Sequence, residues 1–293
     1  AGAPWDAINP EQSAVMAGSL SPAEAAMNIL KNKKVWLRNV QCMNDYREVE
    51  HGIDCLVSAI RNENEGQRFK DILEEIHPGM LKKIVELFDG WIPDLRAQTY
   101  ITCVSEHPDH EDKFGRLSMW RAYGGENPVA IVMNPEAFES DTNALQAYTH
   151  PVAYLDTDDF CEEFGELADR IEANREYVKE MGPQVVINYL FEIFKTFALC
   201  VKHPGFLEER EWRVVYNPAL ASSKHVESDL VSVNGVPQEI HQIHLRNLPE
   251  EGLENVEIPE LINRIIIGPI EHQAVLGNTF IKLLQAAGCK DAQ

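Results

Sequence analysis

The sequence predicts an α+β fold in which a mixed or antiparallel sheet is flanked by helices. Two segments, about 46–98 and 158–201, carry apolar residues at helical spacing, whereas the other apolar runs are short and typical of strands. The dipeptide Asn234-Gly235 between two such runs predicts a β-hairpin. Because no Pro/Gly/Ser-rich linker divides the chain, we expect one domain, residues 1–293, with the two helical segments as insertions.

The first part of the chain is expected to alternate helices with strands. A short helix at 22–33 has Ser21 as its N-cap and Pro22 at its first position. A strand at 34–40 and a helix at 45–60 follow, and the next helix, at 67–89, is broken near Pro78-Gly79. Two strands, at 99–105 and 128–133, come next. The last two strands flank a predicted loop that contains the sequence SMWRAYG.

The second part is expected to begin with helices and to end with strands. Apolar spacing over 158–181 indicates one amphipathic helix. The next segment, 184–201, suits a buried helix but is too short and too often interrupted by polar residues for a membrane span. Strands are predicted at EWRVVYN, in the hairpin and at INRIIIG, before a final helix at about 271–287 that ends at Gly288.

Charge and cysteine content limit the partners and the compartment. The chain has 26 basic and 47 acidic residues, a formal charge of −21, which repels nucleic-acid backbones and anionic lipid. We therefore expect no nonspecific nucleic-acid binding and no membrane association. The six cysteines form no Cys-x-x-Cys pair, and no secretion signal is recognisable, so we expect a reducing, cytoplasmic location.

The most informative segment is KHPGFLEEREWRVVY at 202–216, which contains Glu209, Glu211 and Arg213. In an extended chain, side chains two residues apart share a face, so these three charges are expected to project to one side. They form either a solvated ion-pair ladder or the lining of a polar site. Their position, where a buried helix passes into a strand, favours a site.

Asn44 and Asp45 follow a strand and open a helix. They are either simple capping residues or part of an anion site, because free N–H groups at a helix start suit a pyrophosphate. Arg38 on the preceding strand would add a bidentate phosphate contact.

The SMWRAYG segment places polar groups beside two large rings. Trp120 and Tyr123 are either core residues or a stacking surface for a flat heterocycle. In the second interpretation, Ser118 and Arg121 fix the amide of the ring, and the segment is a nucleotide-binding loop.

No metal site is expected. His107 and His110 match no specific ligand spacing, and His241 and His244 should face opposite sides of a strand. The sequence also contains no P-loop, no GxGxxG after a strand, no GxSxG and no convincing Cys/His nucleophile.

Five motifs in order resemble a widespread bacterial family of domains of unknown function. They are Asn-Asp-x-x-Glu, a Ser-Met-Trp-x-x-Tyr segment, a Lys followed by Glu-x-Glu-x-Arg, a late Ile-Ile-x-Gly, and the short helix and strand that precede them. The resemblance extends over about residues 28–288.

The layout is also distantly similar to that of ADP-ribosyltransferases. This resemblance implies that NAD is the substrate and that Glu211 orients a ribose hydroxyl and stabilises the oxocarbenium-like positive charge that develops as nicotinamide leaves. It also implies that Glu209 assists Glu211 or activates the acceptor. It further implies that Arg38 holds phosphate and that Trp120 or Tyr123 packs the nicotinamide. The usual Ser-Thr-Ser signature is absent, and Ser105 or Ser118 stands in its place.

We therefore expect a cytoplasmic NAD-consuming enzyme, an ADP-ribosyltransferase or NAD glycohydrolase, that needs no metal and by analogy serves bacterial defence or toxicity. The alternatives are a non-catalytic nucleotide-binding sensor and a domain whose acidic surface binds a protein partner. The enzymatic hypothesis requires the segments near positions 38, 120 and 211 to converge on one polar cavity.

Overall fold

A computed structural model describes residues 16–43, 48–113, 115–138, 140–233 and 235–293. Helices and an antiparallel sheet within these residues confirm the predicted α+β fold. The chain divides into two compact units. The helical unit comprises Val40–Gln98 and Val152–Leu207, and the sheet unit comprises Thr99–Pro151, Glu208–Gln293 and the described residues up to Asn39. The helical unit takes in the two segments expected as insertions, while the single-domain organisation stays a prediction.

Nine strands of the described chain form the sheet of the sheet unit, and all of their pairings are antiparallel. They are β1 (Met16–Pro22), β2 (Lys34–Asn39), β3 (Tyr100–His107), β4 (Pro128–Met133), β5 (Ala147–Pro151), β8 (Glu211–Tyr216), β9 (Val226–Val233), β10 (Val236–His244) and β11 (Ile262–Ile267). The predicted strands at 34–40, 99–105 and 128–133 are thereby confirmed. The hairpin is also confirmed, since Val233 pairs with Val236.

The sheet divides at β3. Strand β8 runs along one edge of β3 from Tyr100 to Ser105. Strands β1 and β2 both use the other edge, β1 at Ser105–His107 and β2 at Tyr100 and Ile101. In the described part of the chain, residues 102–104 pair with no strand on that edge. The result is two arms, one of β1, β4 and β11 and one of β2, β10 and β9.

Helices cover part of this sheet. They are α1 (Ala23–Asn32), α5 (Leu117–Tyr123), α9 (Ile258–Leu261) and α10 (Gln273–Ala287). Leu30 of α1 and Phe280 of α10 share a buried core with Val129 and Ile131 of β4. The C-terminus of α10 confirms the predicted cap, because Gly288 adopts a φ of 115°, which glycine tolerates best.

The helical unit is built from six helices and a short parallel strand pair among its described residues. These are α2 (Glu48–Arg61), α3 (Glu65–Ile76), α4 (Met80–Ala97), α6 (Thr157–Ala173), α7 (Arg175–Met181) and α8 (Pro183–Cys200), with β6 (Ala153–Tyr154) and β7 (Val201–Lys202). Phe69, Phe164 and Phe194 are fully buried in its core. None of the described helices combines the length and apolarity that a membrane crossing requires.

The predicted start of the first helix was wrong. The chain forms strand β1 up to Pro22, and α1 begins at Ala23 with Pro22, not Ser21, in the N-cap position. Strand β1 was missed because its sequence, MAGSLSP, is rich in small residues of low strand propensity. Pairing on both sides, with β3 and β4, holds it in the sheet.

The single helix predicted over 158–181 is two helices, α6 and α7. The backbone leaves the helical conformation at Asn174, whose side-chain amide donates to the carbonyl oxygen of Arg170 at 2.8 Å. An asparagine side chain competes in this way with the helical hydrogen bonds of its own backbone.

Candidate functional site

The local backbone separates Glu209 from the strand that carries Glu211. Glu209 is the last residue of a 3₁₀ turn, and Arg210 has a φ of 43°, an uncommon value for a residue with a side chain. The carbonyl oxygen of Arg210 accepts from the backbone N–H of Glu106 at 3.0 Å. The prediction that Glu209, Glu211 and Arg213 line one face of an extended chain is therefore wrong for Glu209, which lies outside β8.

Glu211 and Arg213 do share a face of β8, and they form a buried ion pair. The Nε of Arg213 donates to Oε1 of Glu211 at 2.8 Å, and the side chains are 1% and 5% exposed, respectively. An adjacent guanidinium favours the ionised form of a carboxylate. The pair therefore holds a negative charge in a fixed orientation at the start of β8.

Ser105 lies directly across the strand pair from Glu211. Directly opposed side chains project from the same face of a sheet, with Cβ atoms about 4.5–5.5 Å apart. Ser105 is 8% exposed. The register thus puts the side chains of Ser105 and Glu211 side by side on one face of the sheet, whereas Ser118 lies on helix α5.

Tyr123 reaches the other carboxylate of the motif. Its hydroxyl donates to Oε1 of Glu209 at 2.6 Å. The SMWRAYG segment is not the predicted loop, because Leu117–Tyr123 forms helix α5. The helix puts Tyr123 beside Glu209, so two of the motifs picked out in the sequence meet in space.

The other side chains of α5 divide between core and solvent. Trp120 is buried, and its Nε1 packs so closely on Gly115 that an added Cβ there would lie 2.3 Å away. Ser118 and Arg121 are exposed. Trp120 therefore matches the core interpretation, whereas Ser118 and Arg121 lie three residues apart on an open face of the helix.

Arg38 is on the same face of the sheet but at a distance from Glu211. It pairs with Ile101, four residues before Ser105 on β3, which corresponds to about 13 Å along the strand. Its Nε donates to Oε1 of Gln238 at 3.2 Å. The structure brings Ser105, Glu211 and Arg213 together and places Arg38 further along. Asn44 and Asp45 lie outside the described residues.

Sequence reasoning missed Arg116, which ties the neighbouring segments together. Its guanidinium donates to the carbonyl oxygens of Glu106 and Glu208, and its Nε lies 2.9 Å from Oε2 of Glu111. These contacts fix the turn before β8 against the end of β3. The only available signal was an arginine immediately before the SMWRAYG segment, which is too common to single out.

A second charged cluster lies beyond the end of β3. His107 Nε2 is 2.8 Å from Oδ1 of Asp112, and Arg264 donates to the same oxygen at 2.7 Å. Burial raises the pKa of Asp112, but the hydrogen bonds from Arg264 and His107 outweigh it and leave that pKa below its usual value. Within the described ranges, no group of three or more His, Cys, Asp or Glu side chains is placed to hold a metal ion.

Comparison with known protein families gave a match in the segment that holds the Tyr123–Glu209 and Glu211–Arg213 pairs. Residues 119–214 match a family described as "Protein of unknown function (DUF2971)". The matched segment contains Tyr123 with Glu209 and Glu211 with Arg213, but it excludes Arg38 and Ser105. It covers about a third of the chain, a shorter stretch than the 28–288 over which the motifs resemble such a family.

The other comparisons add no relatives. No curated protein matched the chain, and no solved structure matched it. The match with a family of unknown function agrees with the resemblance of the motifs to a family of domains of unknown function. The similarity to ADP-ribosyltransferases is not supported by these comparisons and stays a prediction.

Proposed function

We propose that the protein is an NAD-consuming enzyme, an ADP-ribosyltransferase or NAD glycohydrolase that acts in defence or toxicity. One observation carries the proposal. Arg38, Ser105 and Glu211 lie on the adjacent strands β2, β3 and β8, and the pairing register puts all three on one face of the sheet. The diphosphate and the nicotinamide ribose are different parts of an extended dinucleotide, so the distance between Arg38 and Glu211 suits this assignment.

The chemistry of the reaction suits these side chains. When the bond between nicotinamide and ribose breaks, its electron pair moves to the ring nitrogen and positive charge develops at the anomeric carbon. The Glu211 carboxylate, held by Arg213, counters that charge without needing to reorient. Water or another acceptor then forms the new bond at this carbon, and Glu209, which accepts from Tyr123, takes the acceptor's proton.

A second candidate is a nucleotide-binding sensor that performs no chemistry. It is favoured by the burial of the ion pair, since Glu211 is 5% exposed and Arg213 is 1% exposed. If no substrate reaches this buried carboxylate, its ion pair with Arg213 has only a structural role, which is to stabilise β8. In that case, the motif residues shape a binding site, and ligand binding alone is the signal.

Incubation of the purified protein with NAD separates the two candidates. The enzyme releases nicotinamide, which is measured by chromatography over time. The sensor shows a higher melting temperature with NAD, as binding to the folded state requires, but forms no product. If incubation with NAD gives no product and leaves the melting temperature unchanged, both candidates are contradicted.

A further inference from the structure

Strand β9 forms one end of the described sheet. It pairs with β10 on one side, and no described strand lies on its other side. The strand is eight residues long, and its residues Glu227, Ser228, Asp229 and Leu230 are all exposed. Leu230 is 81% exposed. A long strand edge with an exposed leucine near its middle is a surface that readily pairs with another strand.

The other two ends of the described sheet carry features that discourage such pairing. Strand β5 is five residues long and ends in Pro151, whose nitrogen cannot donate a hydrogen bond to a neighbouring strand. Strand β11 has a register shift between Ile262 and Arg264, an irregularity that bends an edge. Strand β9 contains no proline or lysine, and its register with β10 is continuous from Val226 to Val233. Among the described strands at the ends of the sheet, β9 is therefore the one that suits pairing.

The two carboxylates of β9 are engaged within their own chain. Glu227 lies 2.9 Å from His244 Nε2 and 3.0 Å from Lys34 Nζ, and the hydrogen bonds from His244 and then Lys34 lower its pKa to about 2. Asp229 accepts from a side-chain amide of β10 at 3.4 Å. Both carboxylates project from one face of the sheet, and Leu230 projects from the other. The β9 side chains that share the face of Leu230 are therefore uncharged.

The alternation of β9 restricts how two copies of the strand can pair. In an antiparallel pair, directly opposed residues project from the same face, so the two-fold axis between identical strands passes through a residue. An axis at Asp229 would set two carboxylates opposite each other, and an axis at Ser228 would oppose Glu227 to Asp229. Like charges in directly opposed positions are destabilising, so these two registers are disfavoured.

An axis at Leu230 avoids both conflicts. It sets Leu230 opposite its own copy, so that two leucines exposed in the single chain cover each other. Both carboxylates then face valines, Asp229 with Val231 and Glu227 with Val233. This register also uses almost the full strand, whereas an axis one residue further along would shorten the paired stretch.

We propose that the β9 edge joins two copies of this chain in a symmetric dimer, through one antiparallel strand pair centred on Leu230. The sheet then continues across the two-fold axis in the order β2-β10-β9-β9-β10-β2, with the last three strands from the second copy. Because each chain uses its β9 edge once, the assembly closes at two chains. This interface does not depend on NAD binding.

Sedimentation equilibrium of the full chain tests the dimer. The formal charge of −21 makes two chains repel, so the measurement is made at about 0.15 M salt, where charges more than about 8 Å apart are screened. We expect a mass of twice 33.2 kDa that falls to that of the single chain on dilution. Leu230→Asp should weaken the association about tenfold or more, because it opposes two carboxylates on the axis.

A matched variant controls for the added charge. Val275→Asp places the same carboxylate on a 64% exposed apolar position of α10 and should leave the association unchanged. Both substitutions are at exposed positions, so neither should disturb folding. A single-chain mass of the wild type at every concentration, an assembly larger than two chains, or unchanged association of Leu230→Asp would overturn the proposal.

Single cysteines report the register of the strand pair. Leu230→Cys places a thiol opposite its own copy, so oxidation with diamide should link two chains through a disulfide. Ser228→Cys places a thiol on the same face, opposite Ser232 of the second copy, and should form far less linked dimer. The wild type, with its six native cysteines, gives the background. Linkage of Ser228→Cys equal to that of Leu230→Cys would overturn the register centred on Leu230.

Discussion

Arg213→Ala should lower the free energy of unfolding by about 3–5 kcal/mol, because it removes the guanidinium that donates to the buried Glu211 carboxylate. The side chain of Arg213 is 1% exposed, so water cannot replace the lost contact. The change is measured by hydrogen exchange of the β3 and β8 amides as a function of urea. This local probe is needed because the two units of the chain do not have to unfold together.

The matched control and a double variant separate the charge effect from packing. Arg121→Ala removes an exposed arginine of α5 and should change stability by less than about 0.5 kcal/mol. Glu211→Leu combined with Arg213→Met replaces both charges with apolar groups and should recover most of the loss. A stability of Arg213→Ala close to that of the wild type would show that the pair is not buried as described.

Glu211→Gln should reduce the turnover rate for nicotinamide release by about 10²–10³-fold, the usual cost of losing one preorganised electrostatic contact to a transition state. The KM for NAD should change little, since the charge develops only as the bond breaks. Steady-state kinetics with chromatographic detection of nicotinamide measure both constants. Glu208→Gln, an exposed carboxylate of the same turn, should retain the wild-type rate.

Loss of stability has to be separated from loss of catalysis in this variant. Glu211→Gln leaves Arg213 with a neutral partner, so its urea transition is recorded on the same preparation, and the kinetics are run where it is fully folded. Full turnover in a folded Glu211→Gln variant would exclude Glu211 as the group that counters the charge. It would then favour a structural role for the ion pair.

The regular elements that the sequence predicts are those with strong periodicity. Helix α8, strand β4 and the β9–β10 hairpin are visible because long apolar runs and an Asn-Gly turn leave few alternatives. Strand β1 and helix α5 were missed for opposite reasons. The first has weak local preference and is held by pairing on both sides, and the second was assigned to a loop because its aromatic and polar residues suggested a site.

The site could be predicted only as a set of residue types. The alternation of Glu211 and Arg213 on a strand predicts their shared face, and the structure agrees. The positive φ of Arg210, which removes Glu209 from that strand, leaves no local sequence signal. The pairing of Ser105 with Glu211 depends on the register between β3 and β8, which are more than a hundred residues apart in the chain.

The central claim is that one face of the β2–β3–β8 strands binds a single dinucleotide. Its most direct test is a crystal structure with an NAD analogue whose nicotinamide ribose has a methylene in place of the ring oxygen, so that the glycosidic bond does not break. We predict the nicotinamide ribose beside Glu211 and Ser105, with the diphosphate within hydrogen-bond distance of Arg38. An analogue bound away from the Glu211 carboxylate would contradict the claim.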